Sequence, residues 1–258
     1  VPDLTYWWLD GYADFNEVQT LQVRDELSRL HQWHRVTELP KVADLLQKMQ
    51  RLAPDNVTPE QVCGLFSDVR ARLEAIHAQA EPGIIALAMS LGSSQLAHIE
   101  AKFQKTNTGW REDWLDGTPA EKQERRMKSA LDRAEQVYNT LEERQKTILQ
   151  ESIASSGFDP QLSYTERLRR QRDLLQTLRQ IQGNKVPASQ ATVALRGYKE
   201  RSINSPNPAY RAYSDKALLD NCRAFAQLHN STTAEQRERA VRRLAAYERD
   251  IRELAAQR

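Results

Sequence analysis

His31, His34 and Glu38 stand at i, i+3 and i+7 in the stretch LHQWHRVTELP, so a helix would carry them on one face. Two imidazoles and a carboxylate are zinc-type ligands, and so placed they would point to a metal-dependent hydrolase. The spacing is not H-E-x-x-H, and no fourth ligand is evident, because His77, His98 and His229 are scattered singly. Packed or capped histidines are therefore the expectation. The hydrolase is the alternative, and it predicts stoichiometric metal after purification. Beside these residues Trp33 is read as a core anchor, whose replacement by alanine would cost about 3–5 kcal/mol if the ring is fully buried. His34, Arg35 and Glu38 are then a polar network locking the helix end near Pro40.

A second group, FQKTNTGWREDWLDGTP from Phe103 to Pro119, brings Trp110, Arg111 and Trp114 together with Glu112, Asp113 and Asp116. Trp and Arg are favoured at binding hot spots. Trp33, His34, Arg35, Glu38, Trp110, Arg111 and Trp114 are accordingly the candidate binding residues. The competing reading of the second group is a structured inter-helix connection with buried rings and paired charges. No G-x-S-x-G elbow, phosphate-cradling glycine loop or dinucleotide fingerprint is present, so no catalytic residue and no cofactor is assigned.

These residues must be positioned by helices. The 258 residues include only 9 glycines and 10 prolines, with long runs free of both, and no sustained period-two alternation marks a strand. Helices are expected at about 16–38, 41–53, 59–80, 83–105, 119–154, 161–182, 188–203, 214–229 and 233–257. Thr58-Pro59-Glu60-Gln61, Thr118-Pro119-Ala120-Glu121 and Thr233-Ala234-Glu235-Gln236 have N-cap chemistry, although their unequal spacing establishes no repeat. Apolar stripes at three-four spacing, among them Val62, Phe66, Val69, Leu73 and Ile76, are read as core. The expected fold is all-α, an elongated bundle or array of long antiparallel helices. It forms one domain over 1–258, with a sub-boundary near 106–118.

Charge is dense but balanced, 37 basic against 35 acidic residues, which argues against a nucleic-acid partner. No apolar run is long enough to span a membrane; the most apolar stretch, GIIALAMSLG, is read as a buried helix. The chain begins at Val1 and is taken as a truncated or processed product. Cys63 and Cys222 do not have redox or zinc spacing, and spacing alone leaves open a long disulfide-closed loop or two buried thiols.

YWWLDGYADFNEVQTLQVRDELSRLHQWHRVTELP resembles the amino-terminal signature of a family of uncharacterised proteobacterial lipoproteins. The resemblance is carried by Leu9, Asp10 and Tyr12, then Trp33, His34, Arg35, Glu38, Leu39 and Pro40. WREDWLDGTPAEKQERR and LHNSTTAEQRERAVRRLAAYERDIREL resemble later blocks of that family. The resemblance implies a periplasmic location on a lipid anchor upstream of Val1, with the outer membrane favoured. It also implies a Cys63–Cys222 disulfide, because the compartment is oxidising. A fainter likeness is to Spy-type periplasmic chaperones with Leu-Thr-x-x-Gln motifs. Thr58 to Gln61 and Thr233 to Gln236 match the Thr-x-x-Gln part, with Val57 and Thr232 in place of Leu. The expected function is a non-enzymatic envelope lipoprotein that binds a protein or lipid partner, as chaperone, adaptor or scaffold. The further alternative is a cytosolic coiled-coil or nucleic-acid-associated protein, which predicts free thiols and salt-sensitive DNA binding.

Overall fold

The computed structural model describes residues 2–184 and 186–257; Val1, from which the anchor was expected to extend, lies outside them. The chain is all-α, and among the described residues there are no strands. In order, the helices are α1 (Pro2–Ala13), α2 (Glu17–Trp33), α3 (Leu39–Leu52), α4 (Pro59–Ser90), α5 (Ser93–Trp114), α6 (Pro119–Tyr138), α7 (Glu143–Ser155), α8 (Pro160–Asn184), α9 (Ala188–Ile203), α10 (Pro208–Asn230) and α11 (Ala234–Ala256). A π-helical segment, His34–Glu38, lies between α2 and α3.

Four expectations are corrected. Pro40 does not end the first long helix. The Leu39 N–H bonds to the His34 carbonyl, five residues back, and this wider turn carries the chain onward with Pro40 in the first turn of α3. Pro82 does not break α4 either. A mid-helix proline costs about 3 kcal/mol, and here it is offset by Ile85, Leu87, Ala88 and Leu91, which pack into the core beyond it. The true break comes at Gly92, in extended conformation as the N-cap of α5. The expected helix over 119–154 divides at Asn139, whose φ of 65° ends α6. Finally, helix α1 lies ahead of residue 16, where no helix was expected.

The chain divides into two compact units, each built from three segments. The first comprises Val1–Gln32, Ile76–Asp116 and Asp159–Ala212; the second comprises Trp33–Ala75, Gly117–Phe158 and Tyr213–Arg258. Apolar contacts in the first centre on Leu91, Leu96, Ile99, Leu175, Leu178 and Ile181. The second has one cluster around Tyr138, Leu141, Leu149 and Leu228, and another around Val57, Val62, Cys222 and Ala226.

Both units contain the same polar lock, made by glutamines at the third position of a helix. In the first unit Gln19 of α2 faces Gln95 of α5. Gln19 Nε2 donates to Gln95 Oε1 at 3.1 Å, and Gln95 Nε2 returns a bond to Gln19 Oε1 at 2.8 Å. Each oxygen also accepts the N–H of its own N-cap, Asn16 or Gly92. Each nitrogen donates as well to a carbonyl five residues ahead of its partner glutamine, that of Ser90 (2.9 Å) or Asp14 (3.0 Å). In the second unit Gln145 of α7 and Gln236 of α11 repeat this, with reciprocal bonds of 2.7 and 3.0 Å. Their oxygens accept from Glu142 and Thr233 N–H, and their nitrogens donate to Ser231 and Thr140 carbonyls at 3.2 and 3.1 Å. All four side chains are buried. One residue type thus caps a helix and ties two helical turns together, leaving no buried amide unsatisfied in the pair.

The first unit also holds a buried carboxylate. Glu166 accepts from Arg169, from Arg170 and from Ser205 Oγ, the last at 2.9 Å. Burial pushes its carboxyl up, but the hydrogen bonds outweigh that and hold it below the ordinary glutamate value. Asp173, bonded chiefly by Arg201 and also by Arg169, is likewise held low. Folded-state pKa values below the unfolded ones mean stabilisation that is present above pH about 4 and lost as pH falls through the folded values. Urea midpoints measured down the acid range should fall for the native chain and fall less steeply for Glu166→Gln. An equal acid dependence in the two proteins would contradict the assignment.

Candidate functional site

The second unit contains an apolar groove of about 290 Å³. Its walls come from the end of α3 (Met49, Leu52), the first half of α4 (Val62, Leu65, Phe66, Val69), Val137 of α6, Phe225 of α10 and Leu244 of α11. The α4 stripe read as core is only partly core, which is a correction. Val62 is buried, whereas Phe66, Val69 and Leu73 are 42, 40 and 62% exposed. Periodicity placed these residues on one face correctly, but beyond Val62 that face is only partly covered. From Val62 to Leu73 the stripe runs about 16 Å along the helix.

Polar groups at the floor are spent on one another. His229 Nε2 lies 2.9 Å from the Asp55 carbonyl, which can only accept, so the ring proton sits on Nε2. His229 Nδ1 then accepts from the Tyr138 hydroxyl at 2.8 Å. Burial depresses the histidine pKa, with Arg237 adding to the effect and the Asp55 bond opposing it. Burial raises that of Tyr138. Both groups stay neutral near pH 7, and the groove presents an uncharged floor.

A disulfide braces the two helices that flank this groove. Cys63 of α4 and Cys222 of α10 are bonded, with Cα atoms 5.5 Å apart. Cys222 is fully buried beside Val57, Val62 and Ala226. Below them Asn230 receives the Val57 N–H and donates to the Val57 carbonyl, which fixes the entry to α4.

The sequence candidates fall elsewhere. Glu38 is fully buried in the second unit, accepting from Lys41 Nζ at 2.7 Å and from Arg72 at 3.2 Å. Arg35 donates to the Leu254 carbonyl at 3.0 Å and to that of Gln257, capping the α11 carboxyl end where a cation is favoured. Glu38 and Arg35 are thus engaged in structural contacts. Arg35→Ala should cost about 1 kcal/mol of stability in a urea melt. Trp33 and His34 are half-buried, so Trp33 is not the fully enclosed anchor expected. His31 belongs to the first unit, whereas His34 and Glu38 belong to the second. Among the described residues no group of three or more His, Cys, Asp or Glu side chains is arranged to hold a metal ion.

In the first unit Trp110 stacks on Tyr164, with centroids 5.3 Å apart, and Arg111 lies 3.7 Å from Asp116. Trp110 and Trp114 are half-buried on α5, so the tryptophans sit on a helix and not in a loop. A different surface of this unit is more apolar. Leu4, Trp7 and Trp8 of α1 and Val18 and Leu21 of α2 are all largely exposed. Sequence reasoning missed both this patch and the groove. It also missed Gln19, Gln95 and Gln145, although a shared signal was present. An N-cap residue followed three positions later by glutamine occurs at Asn16, Thr58, Gly92, Glu142 and Thr233.

These features define an all-helical protein of two lock-bearing units with an open apolar groove in the second. The chain belongs to the family of unknown function DUF6279, whose profile matches residues 11–189. No curated protein and no solved structure matches it.

Proposed function

We propose that this protein is a non-enzymatic binding protein of the bacterial envelope, held to the membrane by an amino-terminal lipid anchor. Its second-unit groove takes apolar segments of protein partners in a chaperone- or adaptor-like role. The observation that carries this reading is the exposed stripe Phe66, Val69 and Leu73 continuing from a cavity with an apolar lining. Contiguous exposed apolar surface marks interaction sites. With Tyr138 and His229 satisfied by each other and by Asp55, the floor offers little to a polar metabolite and favours aliphatic or aromatic side chains. A helical ridge of such side chains fits a groove of this kind.

Support for the envelope comes from the Cys63–Cys222 bridge, which suits an oxidising compartment, and from the resemblance to lipoproteins. The Leu4, Trp7 and Trp8 patch suits a surface held close to a membrane or a client. The test is binding of an environment-sensitive apolar dye and of an amphipathic helical peptide to the full chain and to Phe66→Asp/Val69→Asp. Both side chains are partly exposed, at 42 and 40%, so the variant should remain folded, as checked by circular dichroism, while affinity falls at least about tenfold. Equal binding by the variant would move the site elsewhere.

A further inference from the structure

A crevice of about 600 Å³ runs along α8 and α9 in the first unit. Arg201 of α9 ties the two helices at one end, its Nε and Nη2 donating to the Asp173 carboxylate of α8 at 3.0 and 2.7 Å. One turn in from that tie, about 6 Å along each helix, Thr177 and Gly197 stand level with each other. A Cβ at position 197 would lie 3.1 Å from Arg201 Nη1 and more than 4 Å from Thr177, so the space over Thr177 is open.

Thr177 is 5% exposed, and its hydroxyl is unspent. Thr106, Thr108, Thr147, Thr165 and Thr192 turn their hydroxyls back onto a carbonyl of the preceding turn of their own helices. Thr177 Oγ1 makes no such bond, and among the described residues it has no other partner. Nor is it sealed in, as His77 Nδ1 and Ser202 Oγ are; the little surface that Thr177 keeps opens on the crevice it lines. A nearly buried hydroxyl without an internal partner has its bonding capacity left for whatever enters.

The rest of the lining sets the chemistry of the ligand. Gln180 of α8 and Ser189 and Gln190 of α9 line the same crevice, and among the described residues their side chains have no hydrogen-bond partner. With Thr177 they make four uncharged groups that each donate and accept. The Arg201 guanidinium is committed to Asp173, so it offers no unpaired charge to a phosphate or carboxylate. Val193, Ala194 and Gly197 add a strip of small residues, flat enough for the C–H face of a sugar ring.

We propose that the α8–α9 crevice binds an uncharged saccharide, whose hydroxyls donate and accept as the four side chains do. Thr177 Oγ1 bonds a ring hydroxyl at the floor, the Gln180 and Gln190 amides flank it, and ring C–H groups lie on Ala194 and Gly197. The volume is within the range of about 300–1,000 Å³ usual for ligand clefts. This site belongs to the other unit from the apolar groove and does not rest on it.

Backbone-amide NMR titration of the full chain with cellotriose and with triacetylchitotriose tests this, with end-blocked tetraglycine as the peptide control. At least one saccharide should bind, with shifts centred on Thr177, Gln190 and Gly197. Thr177→Val keeps the shape and removes only the hydroxyl, so affinity should fall at least about fivefold. Its circular-dichroism melt should be unchanged or raised, since no internal bond is lost. Gln180→Ala/Gln190→Ala, at two exposed positions, should weaken binding to a like degree without affecting folding. Absence of saccharide binding, shifts centred elsewhere, undiminished affinity in both variants, or tighter binding of tetraglycine would each overturn the proposal.

Discussion

Breaking the Cys63–Cys222 bridge is expected to lower the stability of the native chain by up to about 5 kcal/mol in the chain-entropy model. The size follows from the sequence separation of 159 between the cysteines, since releasing so long a loop restores much freedom to the unfolded chain. The folded side adds a second effect. Cys222 is fully buried among Val57, Val62 and Ala226, and the bond joins α4 to α10 beside the groove. Denaturant melts with and without a reductant, and of Cys63→Ala/Cys222→Ala, should show the loss and agree with one another. Apolar-dye affinity should fall with it, because two walls of the groove lose their brace. Identical midpoints in all three samples would mean that the bridge constrains nothing.

The second large effect belongs to the glutamine lock. Gln145→Ala should destabilise the protein by about 3–5 kcal/mol, far beyond an ordinary cap deletion. Gln145 is wholly enclosed, and its removal strands the Gln236 amide, the Ser231 carbonyl and the Glu142 N–H. Buried polar groups left without partners carry most of that cost. Gln61→Ala, which deletes the same cap at an exposed turn, should cost under about 1 kcal/mol. In a double-mutant cycle the combined loss of Gln145 and Gln236 should fall short of the sum by at least about 1 kcal/mol. Additive losses would contradict a reciprocal pair.

These residues also show what the sequence made legible. The all-α class followed from periodicity and scarce glycine, and Ala188–Ile203 fell where expected because Pro187 marks its start. The caps at Thr58, Thr118 and Thr233 were readable, since a hydroxyl and a glutamine or glutamate three residues apart state their own geometry. The caps at Gly92 and Glu142 were missed although the glutamine three positions on was there to read, because Glu is not a habitual N-cap and Gly serves turns as readily as caps. Pro40 and Pro82 misled for the opposite reason: a π turn and downstream core contacts overrode the local penalty. The groove stayed hidden because an apolar stripe is the same pattern whether a neighbour covers it or not. Val62 and Phe66 share one face of α4, and only the three-dimensional fold separates the buried from the exposed. His34, Arg35 and Glu38 attracted attention by residue type, yet Arg35 and Glu38 cap and brace the second unit.

The central claim is that the second-unit groove holds apolar segments of other proteins. Light scattering from a client protein unfolding in the presence of an equal molarity of this chain tests it most directly. The native chain should suppress the scattering, an inert helical protein should not, and Phe66→Asp/Val69→Asp should lose most of the suppression while remaining folded. Suppression undiminished in that variant, or absent in the native chain, would contradict the account.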